Sequence, residues 1–173
     1  DPRPPGRLTG MVDVSIRPAV PGDAAAIHAL IRELAEYERL TQLCTESTAD
    51  LADALFGPRP AAEVLLAEVD GGIAGFALFF HNFSTFLARR GLWLEDLYVR
   101  PAFRGQGVGS GLLRAVAAIA VDRRCGRFEW SVLDWNAPAI GFYERLGATV
   151  MPDWRIARVT GDALAHLGRP ASD

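Results

Sequence analysis

The sequence predicts an α/β fold: a mixed, mostly antiparallel central sheet flanked by helices on both faces. Three observations predict it. Apolar periodicity switches along the chain in the order strand, helix, helix, three strands, helix, strand, helix, two strands. The middle of that run holds Asp70-Gly71-Gly72 between two apolar segments, a hairpin signal. The centre is therefore a meander and not a doubly wound parallel sheet. Half of the 173 residues are hydrophobic and 23% are charged, enough for one core without disulfide or metal staples.

Residues 12–18 alternate as VDVSIRP and read as the first strand. Asp23 is the expected N-cap of a helix running to about Leu40, whose Ile27, Leu30, Ile31 and Leu34 define a core face at helical spacing. A short second helix is expected from Ser47 or Thr48 to the stop signal Gly57-Pro58. Residues 63–69 and 73–80 pair across Asp70-Gly71-Gly72, because glycine accepts the positive φ that a tight turn needs. Residues 92–99 form a further strand, ended by Arg100-Pro101. A glycine-rich turn follows, then an Ala-rich helix over about 108–124 with Leu112, Leu113, Val116 and Ile119 inward and Gly126 as terminator. Residues 128–135 are the next strand. Asn136 caps a helix over about 137–146, with Pro138 in its first turn and Gly147 at its end. Val150 and residues 154–159 supply two last strand candidates.

Residues 1–10 (DPRPPGRLTG) carry three prolines and two glycines without apolar periodicity. They read as a flexible leader, native or a cloning remnant, ahead of a single domain over 11–173. Lys+Arg total 18 and Asp+Glu 21, a formal net charge of −3. With no long basic block, nucleic acid is not an expected partner, and Arg89-Arg90 and Arg123-Arg124 read as solvated surface. The mild acidity is compatible with a cationic small-molecule substrate. Cys44 and Cys125 make neither a Cys-x-x-Cys pair nor a disulfide framework. His28, His81 and His166 lack zinc-ligand spacing, so no metal is expected; His28 reads as a helix-face residue and the other two as loop or surface residues. No apolar run is long enough to span a membrane, and no basic start precedes an apolar core as in a signal peptide. The expectation is a cytoplasmic, reduced, soluble enzyme or binding domain.

Five of the 17 glycines crowd around one turn: Gly105, Gly107, Gly109, Gly111 and, a little further on, Gly126. The segment LEDLYVRPAFRGQGVGS, from Leu94 to Ser110, reads as strand, short connection, glycine turn and helix start. Residues without Cβ let backbone N–H groups converge, and the helix N-terminus adds partial positive charge, so phosphate or diphosphate is the natural occupant. Arg104 adds a formal charge beside it. A Walker loop needs Gly-Lys-Ser/Thr, and no lysine occurs here. A Gly-x-Gly-x-x-Gly fingerprint would put its last glycine at Ser110, Leu112 or Arg114, so nicotinamide cofactors are not expected. Arg-x-x-Gly-x-Gly does fit, as Arg104, Gly107 and Gly109 straight after a strand.

That spacing resembles the diphosphate loop of the GCN5-related N-acetyltransferase (GNAT) superfamily. A second block, WNAPAIGFYERLGA from Trp135 to Ala148, resembles the family's Asn-x-x-Ala-x-x-Phe-Tyr-x-x-x-Gly segment. Glu33-Leu-Ala-Glu-Tyr-Glu38, Leu94-Glu-Asp96, Val132-Leu-Asp-Trp-Asn136 and Trp154-Arg155 are similar to the diamine N-acetyltransferase branch, which includes the spermidine/spermine enzymes and those that acetylate thialysine. The resemblance covers residue 14 to about 167. It implies a GNAT-like sheet, a homodimer and acetyl-CoA as co-substrate. It implies a cofactor-binding set of Leu97, Val99, Arg104, Gly105, Gln106, Gly107, Val108, Gly109, Ser110, Asn136 and Tyr143, with Glu95 and Tyr143 catalytic.

Acetyl transfer to an amine needs a held thioester, a neutral amine and a proton for the departing thiolate. The glycine turn offers backbone donors from Gly105 to Gly109, extended by Ser110. An alkylammonium has a pKa of about 10.4, so a base must take its proton. Glu95 lies in an otherwise apolar strand (Leu92, Trp93, Leu94, Leu97), where an unpaired carboxylate is expensive. That placement either raises its pKa toward base strength or reflects a structural partner. The resemblance implies the base, acting through water. Tyr143 can donate to a thiolate, and the resemblance puts its counterpart beside the thioester sulfur; packing with Phe142 and Leu146 is the alternative. Asn136 suits a helix cap, and the resemblance adds a contact to the pantetheine arm. Glu38 and Asp96 attract a cationic substrate and Trp154 offers an indole face to it, although each also fits a helix-face or surface position.

The polyamine enzymes carry an acidic, aromatic Asp-Pro-Trp segment ahead of Leu-Glu-Asp. The matching stretch here, HNFSTFLARR over 81–90, has no acid and two arginines. It argues against spermine and spermidine and for a shorter amine. The expected function is acetyl-CoA-dependent N-acetylation of the primary amine of a small molecule, a diamine or a thialysine-like amino acid. Acetylation of a protein N-terminus or lysine is one alternative. A CoA-binding sensor without catalysis is another, against which Glu95 and Tyr143 both argue.

Overall fold

The computed structural model describes residues 13–170. The leader expected over residues 1–10 lies outside the described residues, as does Val12. The chain divides after Ser131 into two compact units.

The first unit contains β1 (Val14–Pro18), α1 (Ala24–Tyr37), α2 (Thr48–Phe56), β2 (Glu63–Val69), β3 (Gly72–Ser84), β4 (Arg89–Val99), α3 (Val108–Asp122) and β5 (Phe128–Trp130). The five strands lie side by side in chain order. Three pairings are antiparallel and β5 runs parallel to β4, giving the mixed, mostly antiparallel sheet that the pattern predicts. Asp70 (φ 50°) and Gly71 (φ 79°) turn the β2–β3 hairpin with two left-handed residues, as a twisted two-residue turn requires.

Strand alternation sorts the core into two layers. Val64, Leu66, Phe76, Leu78 and Tyr98 pack against Ile27, Leu30 and Leu34 of α1 and Leu55 of α2. The intervening Leu65, Ala67, Ala77 and Phe79 are buried on the other face. There α3 brings Val108, Leu112, Leu113 and Val116. Gly111 marks its closest approach, since a Cβ there would lie 3.2 Å from Ile16 Cδ1, and Ile16 stands opposite Ala67 in the ladder. Helices therefore cover both faces. Fully buried side chains such as Phe76, Ile27 and Leu112 each stabilise the fold by about 1.5–3 kcal/mol.

Several expectations need correction. The hairpin of β3 and β4 is longer than the apolar runs 73–80 and 92–99, because polar residues at its tip extend the ladder through their backbones. His81 accordingly lies on β3, half-buried, and not in a loop. Its Nδ1 is 3.0 Å from the Gly91 carbonyl, so Nδ1 carries the proton, and Nε2 accepts from Arg123 Nη1 at 3.0 Å. Asp23 is the N-cap residue of α1 as expected, but its side chain makes no cap hydrogen bond; its carboxylate accepts from the Arg17 guanidinium and from Val20 N, holding the short turn before the helix. Ser47 does cap α2, accepting from Asp50 N at 3.1 Å. Ile119 is half-buried. Arg124 (φ 55°), not Gly126, supplies the left-handed residue after α3. Gly126 instead lets the backbone pass the β3–β4 hairpin, where a Cβ would sit 2.8 Å from Leu87 Cδ1. Strand β5 has three residues, far short of 128–135.

The second unit contains α4 (Ala137–Arg145) and α5 (Gly161–Leu167). Asn136 caps α4 as expected, its Oδ1 accepting from Ala139 N at 3.3 Å, and Gly147 (φ 93°) follows its end. Among the described residues no strand forms at Val150 or over 154–159, and α5 was not expected. Trp154, Ile156 and Val159 are exposed, so their β-like pattern has no ladder partner in this unit. No helix among the described residues is long and apolar enough to cross a membrane.

Candidate active site

After β4 the chain makes one 3-10 turn at Pro101–Phe103 and enters the glycine turn with Gly105 (φ 75°) and Gly107 (φ 81°) in the left-handed region. Only glycine takes these angles without strain. Gly107 is also the N-cap of α3, with no side-chain cap. The first intrahelical bond runs from Gly111 N to Gly107 O at 2.9 Å. The N–H groups of Val108, Gly109 and Ser110 therefore precede the helix ladder and carry the positive end of its dipole. Val108 is buried and anchors the turn, and Ser110 Oγ donates to Gly107 O at 3.1 Å. Gln106 Nε2 reaches back to the Ala102 carbonyl at 3.3 Å. A cradle of uncapped donors beside glycines, with open space where a Cβ would stand at Gly105, fits the diphosphate of a coenzyme A.

Arg104 is exposed. Nε donates to the Val99 carbonyl at 3.0 Å, and Cζ stands 5.0 Å from the Tyr37 ring centroid and 5.8 Å from that of Tyr98. Arg104 thus ties the turn to the C-terminal end of α1. Leu97 and Val99, from the anticipated cofactor set, are half-buried on β4.

The β3–β4 register breaks at the centre of the Leu-Glu-Asp segment. Leu78 pairs with Asp96 and Phe79 with Leu94, which makes Glu95 the extra residue of a β-bulge. Glu95 is lifted out of the ladder and exposed, so the burial expected for it does not occur. Trp93 Nε1 donates to Glu95 Oε2 at 2.9 Å. The desolvated carboxylate is its neighbour. Asp96 is pushed up from 3.8 to about 7, first by burial, then by the charges of Glu95 and Glu38. Glu38, half-buried at the C-cap of α1, is itself raised by burial. Three carboxylates therefore gather where the end of α1 meets β4. All three are candidates on sequence alone, whereas Trp93 is not, since its only sequence signal is an indole two positions from an acid.

In the second unit, Asn136 is buried at the head of α4 and Tyr143 is half-buried on that helix. The Tyr143 ring lies 5.3 Å from the Phe142 ring, so the packing contact considered for it exists. Trp154 is 77% exposed. Among the described residues, no group of three or more His, Cys, Asp or Glu side chains is arranged to hold a metal ion.

Residues 24–148 match the acetyltransferase (GNAT) family, and the chain belongs to that family. It is an N-acetyltransferase. The chain is 38% identical to L-ornithine N5-acetyltransferase of Arabidopsis thaliana, over 89% of this chain and 87% of that protein. It is also 38% identical to thialysine N-epsilon-acetyltransferase of Sus scrofa, over 91% of this chain and 98% of that protein. Among solved structures it resembles an integron cassette protein from the mobile metagenome of V. cholerae, with a TM-score of 0.77 and 25% identity over 93% of this chain and 100% of the other.

Proposed function

We propose that the protein uses acetyl-CoA to acetylate the primary amine of a small molecule, a diamine or a thialysine-like amino acid. The observation that carries this reading is the gathering of Glu38, Glu95 and Asp96 in the same unit as the glycine turn. The relatives named for ornithine and thialysine acetylation support the substrate class. Exposed Arg89 and Arg90 at the start of β4 argue against long polycations.

In this mechanism the N–H groups of residues 105–110 hold the diphosphate, and bound acetyl-CoA supplies the activated acetyl thioester. Asp96 and Glu38 receive the ammonium group, whose charge favours the ionised form of Asp96. The exposed carboxylate of Glu95 accepts the amine proton, directly or through one water. The Tyr143 hydroxyl donates the proton that the leaving thiolate needs, and Asn136 Nδ2 offers a donor to the pantetheine arm. Trp154 adds an indole face for the cationic substrate.

The same reading takes both units as one domain over 11–173, acting in the cytoplasm as a homodimer. The exposed apolar side chains of Met151, Ile156, Leu164 and Leu167 support self-association. Thiol release from acetyl-CoA across ornithine, thialysine, short diamines, spermidine and peptides tests the activity. Turnover is expected with the short amines and little with spermidine. Acetyl-CoA binding without turnover on any amine would support the sensor, and turnover on peptides alone would support a protein acetyltransferase.

A further inference from the structure

We propose that Trp93 is a positioning residue, whose indole N–H fixes the bulged carboxylate of Glu95 for proton transfer. The inference rests on the acetyl-transfer reading above and assigns a role to a residue outside its machinery.

Residues in a regular ladder have their direction set by the strand across from them. Glu95 has no such partner, because Leu94 and Asp96 take the two positions opposite Phe79 and Leu78. Backbone pairing therefore leaves the Glu95 side chain several rotamers on an exposed surface. The indole removes that freedom. Trp93 is paired opposite Phe80 and half-buried, so its ring is held by the sheet. Its Nε1 can only donate, and it donates to Oε2 at 2.9 Å, a charge-assisted bond across the bulge. Engaging Oε2 leaves Oε1 as the oxygen directed to amine or water, with two of its lone-pair sites intact. Asp96 and Glu38, the carboxylates assigned to the ammonium group, act on the same place from β4 and from the end of α1. A carboxylate swinging freely at Glu95 would be out of reach of the amine for much of the time, which lowers turnover without changing binding.

The test is Trp93→Phe, which deletes the N–H and keeps an aromatic face, beside Trp93→His, whose Nε2 also stands three bonds from Cβ and can restore the donor. For Trp93→Phe, kcat should fall about five- to tenfold, as expected for losing a hydrogen bond to a charged group at a partly exposed site, while KM for the amine stays within about twofold. Trp93→His should recover most of the lost kcat. In a Glu95→Gln background the Trp93→Phe effect should vanish, because the indole acts only through that carboxylate. Wild-type kcat in Trp93→Phe, equal losses in the Phe and His variants, or full additivity with Glu95→Gln would each overturn the assignment. A wild-type enzyme inactive on every amine would instead overturn the acetyl-transfer reading itself, so the two failures are distinguishable.

Discussion

Replacing Asp96 with Asn should strengthen the fold and weaken amine capture at the same time. The Asp96 carboxyl is raised from 3.8 to about 7 because burial, Glu95 and Glu38 all oppose its charge. At about 1.36 kcal/mol per pKa unit, three units set a ceiling of about 4 kcal/mol. Water reaching the partly exposed site and a high effective dielectric reduce this to about 1–3 kcal/mol. The sign follows from linkage. Between the unfolded value near 3.9 and the folded value near 7, the folded state keeps a proton that the unfolded state has lost, so stability falls as pH rises across that window and levels off above it. Asn carries no such penalty. Urea unfolding of both proteins at pH 4, 5.5, 7 and 8 should show curves that nearly coincide at pH 4 and a gap favouring Asp96→Asn that opens to about 1–3 kcal/mol by pH 7 and then stays constant. In the same protein, KM for the amine should rise about tenfold or more. A gap independent of pH, or an Asn variant less stable at pH 8, would refute the reasoning.

Two further outcomes are expected. Gly107→Ala places a Cβ at φ 81°, where its only close neighbour is Ser110 Oγ at 4.0 Å, so the cost is backbone strain of about 1–2 kcal/mol and not a clash. Relaxing that strain re-aims the first N–H groups of α3, and calorimetric titration with CoA should show affinity down about tenfold; unchanged affinity would remove the turn from the binding site. Tyr143→Phe should lower kcat at least about tenfold with CoA affinity within about twofold, and unaltered turnover would show that the hydroxyl donates no proton in the reaction.

The legible parts of the fold are those that local chemistry decides. The Asp70-Gly71 turn, the Ser47 and Asn136 caps, and the apolar stripe of α3 follow from φ preferences and helical spacing within a few residues. What sequence reasoning missed depends on residues far apart in the chain. Asp23 does hold the cap position of α1, but Arg17 claims the carboxylate that would have bonded the helix N–H groups. Residues 154–159 alternate like a strand, but alternation records a preference and provides no partner. The glycine turn was readable as an anion cradle, whereas the direction of the Arg104 guanidinium depended on where Tyr37 and Tyr98 would stand. The carboxylate pair is the sharpest case. Nothing in Leu-Glu-Asp says which acid is desolvated, because that depends on which residue the opposite strand leaves unpaired.

The bulge at Glu95 also divides β4 into two segments of opposite parity. Even-numbered Leu92 and Leu94 stand opposite His81 and Phe79, on the sheet face covered by α3. Even-numbered Asp96 and Tyr98 stand opposite Leu78 and Phe76, on the face covered by α1. One extra residue has exchanged odd for even. Deleting Glu95 would remove the bulge and restore one uniform phase along the strand. With Glu95 gone, Leu94 opposite Phe79 and Asp96 opposite Leu78 would be neighbours in a regular ladder, and every remaining residue of the strand would keep its face. The extra residue is therefore what carries a carboxylate outside the ladder, while the leucines ahead of it serve the α3 layer and Tyr98 behind it serves the α1 layer.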